Sequence, residues 1–309
     1  MGIVYHGSPV VGLKTLTPHQ STHGNYVYAT KEKLVALILS GKYGDDMTFS
    51  LFRNGHDDPW KLVERIPNGF ATMFNNSASI YTLNDDSFKD IQTGFSEVVS
   101  EKELATLSEE RIDSVYAEIK KLAQEGKIKV YQYPSKPKGM AENDKDLLQK
   151  ELKQLERNNK TLTKNTFFRL LLLHPNLFDE VNKVLQEHNL EAFKKDDLIT
   201  IFFRAVIFQE LYPEEELYLE SAVIAISRLF PEYVDKYKEK LHFITYSEAE
   251  KRKFFLNNLN LLFPELSEAE KEALQEKYQD DNRDFKDIGI EIIADIKKHK
   301  IEKATNRTI

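Results

Sequence analysis

Ile3-Val4-Tyr5-His6-Gly7-Ser8 opens the chain, and His23-Gly24-Asn25-Tyr26-Val27-Tyr28-Ala29-Thr30 follows it after a short turn-rich interval. The first run is β-favouring and ends in His-Gly; the second is an aromatic strand that runs into a helix start. Together they put an imidazole, free backbone groups and a stackable ring around one small ligand. Around them lie further short strand signals separated by Gly, Asn and Asp: Thr48–Arg53, Ser79–Leu83, Ser96–Val99 and Ile128–Tyr133. Two helices are predicted among the strands. Thr30 caps one whose apolar residues Leu34, Val35, Leu37, Ile38 and Leu39 run to Gly41. The other starts at the capping box Thr106-Leu107-Ser108-Glu109, keeps Ile112, Val115, Tyr116, Ile119, Leu122 and Ala123 on one face, and stops at Gly126. Strands outnumber helices, so the first part reads as α+β.

Composition changes near residue 140. Eleven of the 12 glycines stand at or before Gly139, so turn-dense backbone gives way to long helical patterns. The joint is Pro134-Ser135-Lys136-Pro137-Lys138-Gly139, which interrupts both strand and helix. It divides residues 1–139 from a helical bundle over 140–309. Amphipathic runs fall near Asp144–Asn158, Thr166–Leu173, Phe178–His188, Asp197–Leu211, Glu215–Leu229, Glu232–Leu241, Ser247–Asn260, Ser267–Gln279 and Phe285–His299. Pro213, Pro231 and Pro264 each stand in a Leu-aromatic-Pro-Glu run that closes one helix and starts another. Their spacing has no period, so a repeat array is not expected. Ser247 and Ser267 head two Ser-Glu-Ala-Glu-Lys capping boxes. The aromatic segment Phe202-Phe203-Arg204-Ala205-Val206-Ile207-Phe208 reads as core.

With 309 residues, 41% hydrophobic and 30% charged, the chain can bury two cores. The formal net charge of −7 argues against broad capture of nucleic acid or an anionic membrane. Without cysteine there is no disulfide framework, thiolate nucleophile or zinc–thiolate site. No apolar stretch approaches a membrane span, and the first residues lack a secretion signal, so a cytoplasmic location without membrane partners is the expectation. His19 and His23 are four apart, yet Pro18 and Gly24 bracket a loop; His56-Asp57-Asp58 sits in a turn between Gly55 and Pro59. Neither predicts a metal site. Lys297, Lys298, Lys300, Lys303 and Arg307, interrupted by Asp295 and Glu302, read as a solvated helix end.

Four pieces stand in a telling order: Tyr5-His6-Gly7-Ser8, Val27-Tyr28-Ala29-Thr30, Ser79-Ile80-Tyr81-Thr82-Leu83 with Phe88, and Glu97-Val98-Val99-Ser100-Glu101. Over about the first 134 residues this succession resembles the ADP-ribosyltransferase-like fold of the His-Tyr-Glu branch. The resemblance implies a split, strongly curved β domain that holds NAD as substrate. It implies that His6 bonds the ribose hydroxyls, that Gly7 offers backbone groups to the nicotinamide amide, with Ser8 and Thr30 in the same cleft, and that Tyr28 stacks on the nicotinamide ring. Glu97 is implied as the catalytic acid; Glu101 is the runner-up. These residue types suit the chemistry. Cleaving the glycosidic bond builds positive charge on the ribose, which a carboxylate stabilises, and an aromatic face holds the pyridinium ring.

The implied activity is transfer of ADP-ribose from NAD to an unknown protein or nucleic-acid acceptor. Two positions before Glu97, where many protein-modifying members carry an acidic or amide residue, this chain has Phe95, which makes an arginine-like acceptor less expected. Two alternatives stay open: an NAD glycohydrolase or RNA 2′-phosphotransferase relative, and an inactive member acting as an interaction protein. In the last, the helical part would bind a protein partner. Ser100 either binds a group in the cleft or only ends its strand.

Overall fold

The computed structural model describes residues 2–21, 24–55, 57–91, 96–263 and 266–306, the last eight by backbone alone. The chain mixes α and β structure and divides into two compact units, Met1–Glu142 and Asn143–Ile309.

In the first unit the elements run β1 (Ile3–Ser8), β2 (Thr15–Leu16), β3 (His19–Ser21), β4 (Gly24–Thr30), α1 (Lys33–Leu39), β5 (Phe49–Phe52), β6 (Trp60–Glu64), α2 (Gly69–Met73), β7 (Ala78–Asn84), β8 (Glu97–Ser100), β9 (Leu104–Ala105), β10 (Ser108–Ile112), α3 (Val115–Gln124) and β11 (Ile128–Tyr131). The main sheet is antiparallel. Its order is β10-β7-β1-β4-β3, with β8 also pairing β4. A second sheet joins β5 to β6 antiparallel and β6 to β11 parallel; β2 and β9 form a short ribbon.

Alternation along the strands decides which residues are buried. Val4, Leu83, Val27, Ala29 and Val98 form one cluster with Leu16, and Leu13, Phe88 and Leu104 pack against it. Helix α1 packs on β1, β4 and β7 through a stripe that buries Val35, Ala36, Leu37 and Ile38. Its close approach requires Gly7: a Cβ there would lie 1.9 Å from the Ala36 carbonyl oxygen.

Two helix starts differ from expectation. Thr30 is the last residue of β4, and Glu32 is the N-cap residue of α1; the Thr30 hydroxyl accepts from the Glu32 N–H at 3.2 Å, two residues ahead of the cap position. Thr106-Leu107-Ser108-Glu109 starts no helix. Ser108–Ile112 is an edge strand, paired to β7 with Glu109 opposite Tyr81, and α3 begins only at Val115, where the Ser114 hydroxyl accepts from the Ala117 N–H. The capping-box pattern is local, and the long-range ladder with β7 overrides it. Gly126, at φ 74°, does close α3.

The second unit is helical: α4 (Lys145–Arg157), α5 (Phe168–Leu173), α6 (Phe178–Glu187), α7 (Asp197–Leu211), α8 (Leu219–Leu229), α9 (Val234–Leu241), α10 (Glu248–Asn257), α11 (Leu259–Leu262), α12 (Glu268–Tyr278) and α13 (Phe285–Asn306), with single 3₁₀ turns between several of them. Helix α7 is the axis. It is apolar nearly all round, burying Phe202, Phe203, Val206 and Ile207, and it packs against α5, α8, α9, α11 and α13. Phe208, read as core, is instead 38% exposed. Both Ser-Glu-Ala-Glu boxes cap helices, Ser247 on α10 and Ser267 on α12, each with reciprocal hydrogen bonds. Pro231 opens a 3₁₀ turn before α9. Pro213 lies instead in a turn that delays α8 to Leu219. Pro264 and Glu265 lie outside the described residues. Among the described residues no helix is long and apolar enough to cross a membrane.

Candidate functional site

Strand β1 pairs with β7 along its whole length, yet meets β4 at a single pair, Tyr5 opposite Thr30. On its far edge β4 is held by β8, with Thr30 opposite Glu97 and Tyr28 opposite Val99. From Tyr5 to Ser8 no further pair joins β1 to β4 among the described residues, so the sheet is split there. The His6 ring bridges the split: its Nδ1 lies 2.7 Å from the backbone carbonyl of Tyr28. A carbonyl only accepts, so Nδ1 carries the proton and the neutral ring keeps Nε2 as an acceptor. Burial pushes the His6 pKa down, the Tyr28 carbonyl opposes that shift, and the charge of His19 adds to it.

Aromatic rings surround this point. His6 lies 6.4 Å from Tyr81, between ring centroids, and Tyr28 lies 5.8 Å from His19 and 6.0 Å, edge to face, from Tyr26. Tyr28 donates its hydroxyl proton to the Gly24 carbonyl, which lays the ring back along its own strand.

Glu97 is half-buried, and among the described residues its carboxylate has no hydrogen-bond or ion-pair partner. Glu101 differs: it is exposed and ion-paired to Lys89 at 2.6 Å, which holds its carboxyl below the usual range. Of the two candidates, Glu97 is the one free to act on a ligand. Ser100 is buried; its hydroxyl lies 3.1 Å from that of Ser87 and accepts from the Lys102 N–H, so it ends β8.

The remaining expected site residues have local duties. Ser8 is buried and accepts from the Val10 N–H at 3.1 Å. Thr30 is buried, its hydroxyl engaged by the Glu32 N–H and by Ser96 at 3.3 Å. Gly7 is explained by the approach of α1. Cross-strand partners share a face, so Tyr5, Gly7, Tyr28, Thr30 and Glu97 belong to the α1 side of the sheet, whereas His6 and Tyr81 belong to the other. His6 therefore meets Tyr28 across the split edge, through backbone, and not ring to ring.

A second layer was not legible in the sequence. Glu109 Oε1 accepts from the Gly12 N–H at 2.8 Å, from Ser79 at 2.7 Å and from Tyr81 at 3.3 Å, and these bonds hold its pKa down. Tyr81 also accepts from the Leu13 N–H. This network fixes segment 10–13 beside β1. The sequence carried no signal for it: the capping-box pattern pointed to a helix, and Glu109 is placed opposite Tyr81 only by the ladder with β7.

Among the described residues no cluster of three metal-ligating side chains occurs. His19 is paired in β3, and His23, His56 and Phe95 lie outside the described residues, as do Arg307 and the side chains of Lys300 and Lys303. No family model, no curated protein and no solved structure matches the chain.

Proposed function

We propose that the first unit binds NAD at the β1–β4 split and cleaves its nicotinamide–ribose bond. The observation that carries this reading is the split itself, bridged by a neutral His6 and flanked on β4 and β8 by Tyr28 and by the Glu97 carboxylate, which has no partner among the described residues. In the reaction the ribose C1′–nitrogen bond breaks and nicotinamide leaves with the bonding pair. The Glu97 carboxylate stabilises the cationic ribose, and an acceptor nucleophile attacks C1′ and gives up its proton. His6 Nε2 accepts from a ribose hydroxyl, and the Tyr28 ring faces the pyridinium. The acceptor is a protein or nucleic acid, selected with the help of the helical unit, and the setting is cytoplasmic.

The test is nicotinamide release from NAD by the whole chain. Glu97→Gln and His6→Ala, each confirmed as folded, are expected to lower release by about a hundredfold or more. Transfer of label from NAD to macromolecule separates transfer from hydrolysis. The absence of both nicotinamide release and NAD binding in the folded wild-type chain would overturn the proposal.

A further inference from the structure

Segment 10–13 continues β1 past His6-Gly7-Ser8, and its backbone is tied down while its side chains bury little. The Val10 N–H donates to the Ser8 hydroxyl at 3.1 Å, and the Val10 carbonyl accepts from the Tyr81 hydroxyl at 2.9 Å. The Gly12 N–H donates to Glu109 at 2.8 Å, and the Leu13 N–H donates to the Tyr81 oxygen at 3.0 Å. Val10 and Val11 nevertheless stay 54% and 48% exposed. A loop held for its packing buries its apolar side chains; this one is held for its position.

The centre of the network is Tyr81, wholly buried on β7. Its hydroxyl accepts from Leu13 and donates its one proton to the Val10 carbonyl, with Glu109 Oε1 as a second acceptor at 3.3 Å. Glu109 Oε1 also takes the Ser79 hydroxyl at 2.7 Å, so this carboxylate braces β7 at two positions. The Tyr81 ring meets His6. The two residues are cross-strand partners, and their rings stand 6.4 Å apart at 34°, within the spacing of interacting aromatic pairs. His6 therefore has two fixed neighbours, the Tyr28 carbonyl at its Nδ1 and a ring whose hydroxyl is anchored.

From this geometry we infer that Tyr81 is a positioning residue for His6: its anchored ring holds the imidazole at the angle at which Nδ1 meets the Tyr28 carbonyl, and Glu109 acts through it by bracing the hydroxyl and β7. Both act through His6, not on NAD itself. The kinetic consequence rests on the NAD reading, whereas the consequence for the His6 tautomer does not. His6 bonds a ribose hydroxyl before and during cleavage alike, so disturbing its angle weakens ground-state and transition-state binding equally and raises KM with kcat unchanged.

The experiment uses the whole chain, with folding checked by circular dichroism. Nitrogen NMR of isotope-labelled histidine side chains, with His6 assigned from its loss in His6→Gln, is expected to show the Nδ1–H tautomer in wild type and in Tyr81→Phe, which keep the ring. Tyr81→Leu, which loses the ring, should show a mixture of tautomers. In nicotinamide release, Tyr81→Leu should raise the KM for NAD by about tenfold with kcat within about twofold of wild type. Glu109→Ala should shift both readouts in the same direction, and Glu109→Gln, whose amide oxygen still accepts from Gly12 and Ser79, should restore them. Should Tyr81→Leu fail to fold, Glu109→Ala against Glu109→Gln takes its place. A His6 tautomer unchanged in the folded Tyr81→Leu chain, or in Glu109→Ala where that stands in for it, would overturn the inference, as would a fall in kcat at unchanged KM. A wild-type chain that releases no nicotinamide and binds no NAD overturns the NAD reading alone, and the tautomer then decides this one.

Discussion

Replacing Gly7 by alanine tests whether the glycine of the His-Gly pair serves packing or ligand binding. The added Cβ would sit 1.9 Å from the Ala36 carbonyl oxygen, 2.8 Å from its carbon and 2.9 Å from the Ser40 Cβ, where real Cβ atoms essentially never come under 3.0 Å. The obstructing atoms are mostly helix backbone, so no side chain can rotate away, and α1 must move outward by more than 1 Å. That movement loosens the buried stripe Val35–Ile38 along its length. Overpacking of a core typically costs about 1–3 kcal/mol, and rigid backbone places this case at the upper end. At a urea dependence of about 2 kcal/mol/M, a loss of ~3 kcal/mol lowers the midpoint by about 1.5 M.

The readout is specific to the first unit, because the chain has one tryptophan, and Trp60 is buried in β6. Urea unfolding followed by Trp60 fluorescence therefore measures this unit while the helical unit stays silent. A midpoint within about 0.3 M of wild type would refute the packing argument; with NAD binding lost, it would return Gly7 to the ligand.

Two other outcomes are expected alongside those for Glu97. Because His6 has a folded-state pKa below its ordinary value of 6.5, the unfolded chain binds more protons between the two, so stability falls as pH drops through 6.5 toward the lowered pKa and levels off below it. The Trp60 urea midpoint of His6→Gln should lack that part of the pH dependence, and parallel profiles for wild type and variant would count against a partly buried neutral imidazole. Glu32 accepts from Arg53 at 2.8 and 3.0 Å and from the Trp60 indole N–H at 2.7 Å, with Arg53 stacked 4.6 Å from the indole. Glu32→Ala should cost the first unit about 2 kcal/mol and shift Trp60 emission; an unchanged emission maximum and midpoint would show that the cluster bears no load.

Several features were readable from the chain alone because their causes are local. The boxes at Ser247 and Ser267 close within three residues, so the same hydrogen bonds appear wherever the sequence is placed. Helix α7 spans the expected Asp197–Leu211, since an apolar run of 15 residues is longer than a usual strand and satisfies its own backbone hydrogen bonds locally as a helix. The strands at Ile3 and Tyr26 were likewise visible as β-branched and aromatic runs, as was His6 beside a glycine.

What depends on distant partners was not readable. The segment around Glu109 carries a helix-start pattern, and only the ladder with β7 makes it a strand whose carboxylate ties Ser79, Tyr81 and Gly12 together. The sequence ranks Glu97 ahead of Glu101 only through the resemblance; in the structure Lys89 engages Glu101, while Glu97 has no partner among the described residues. Nothing in His6-Gly7 announces that α1 presses on the glycine, or that the Tyr28 carbonyl fixes the tautomer of the histidine. Periodicity and capping act over a few residues and are written in the chain, whereas register, burial and charge pairing arise only when strands far apart in sequence are brought to one edge, and that convergence determines which of the legible residues can do chemistry.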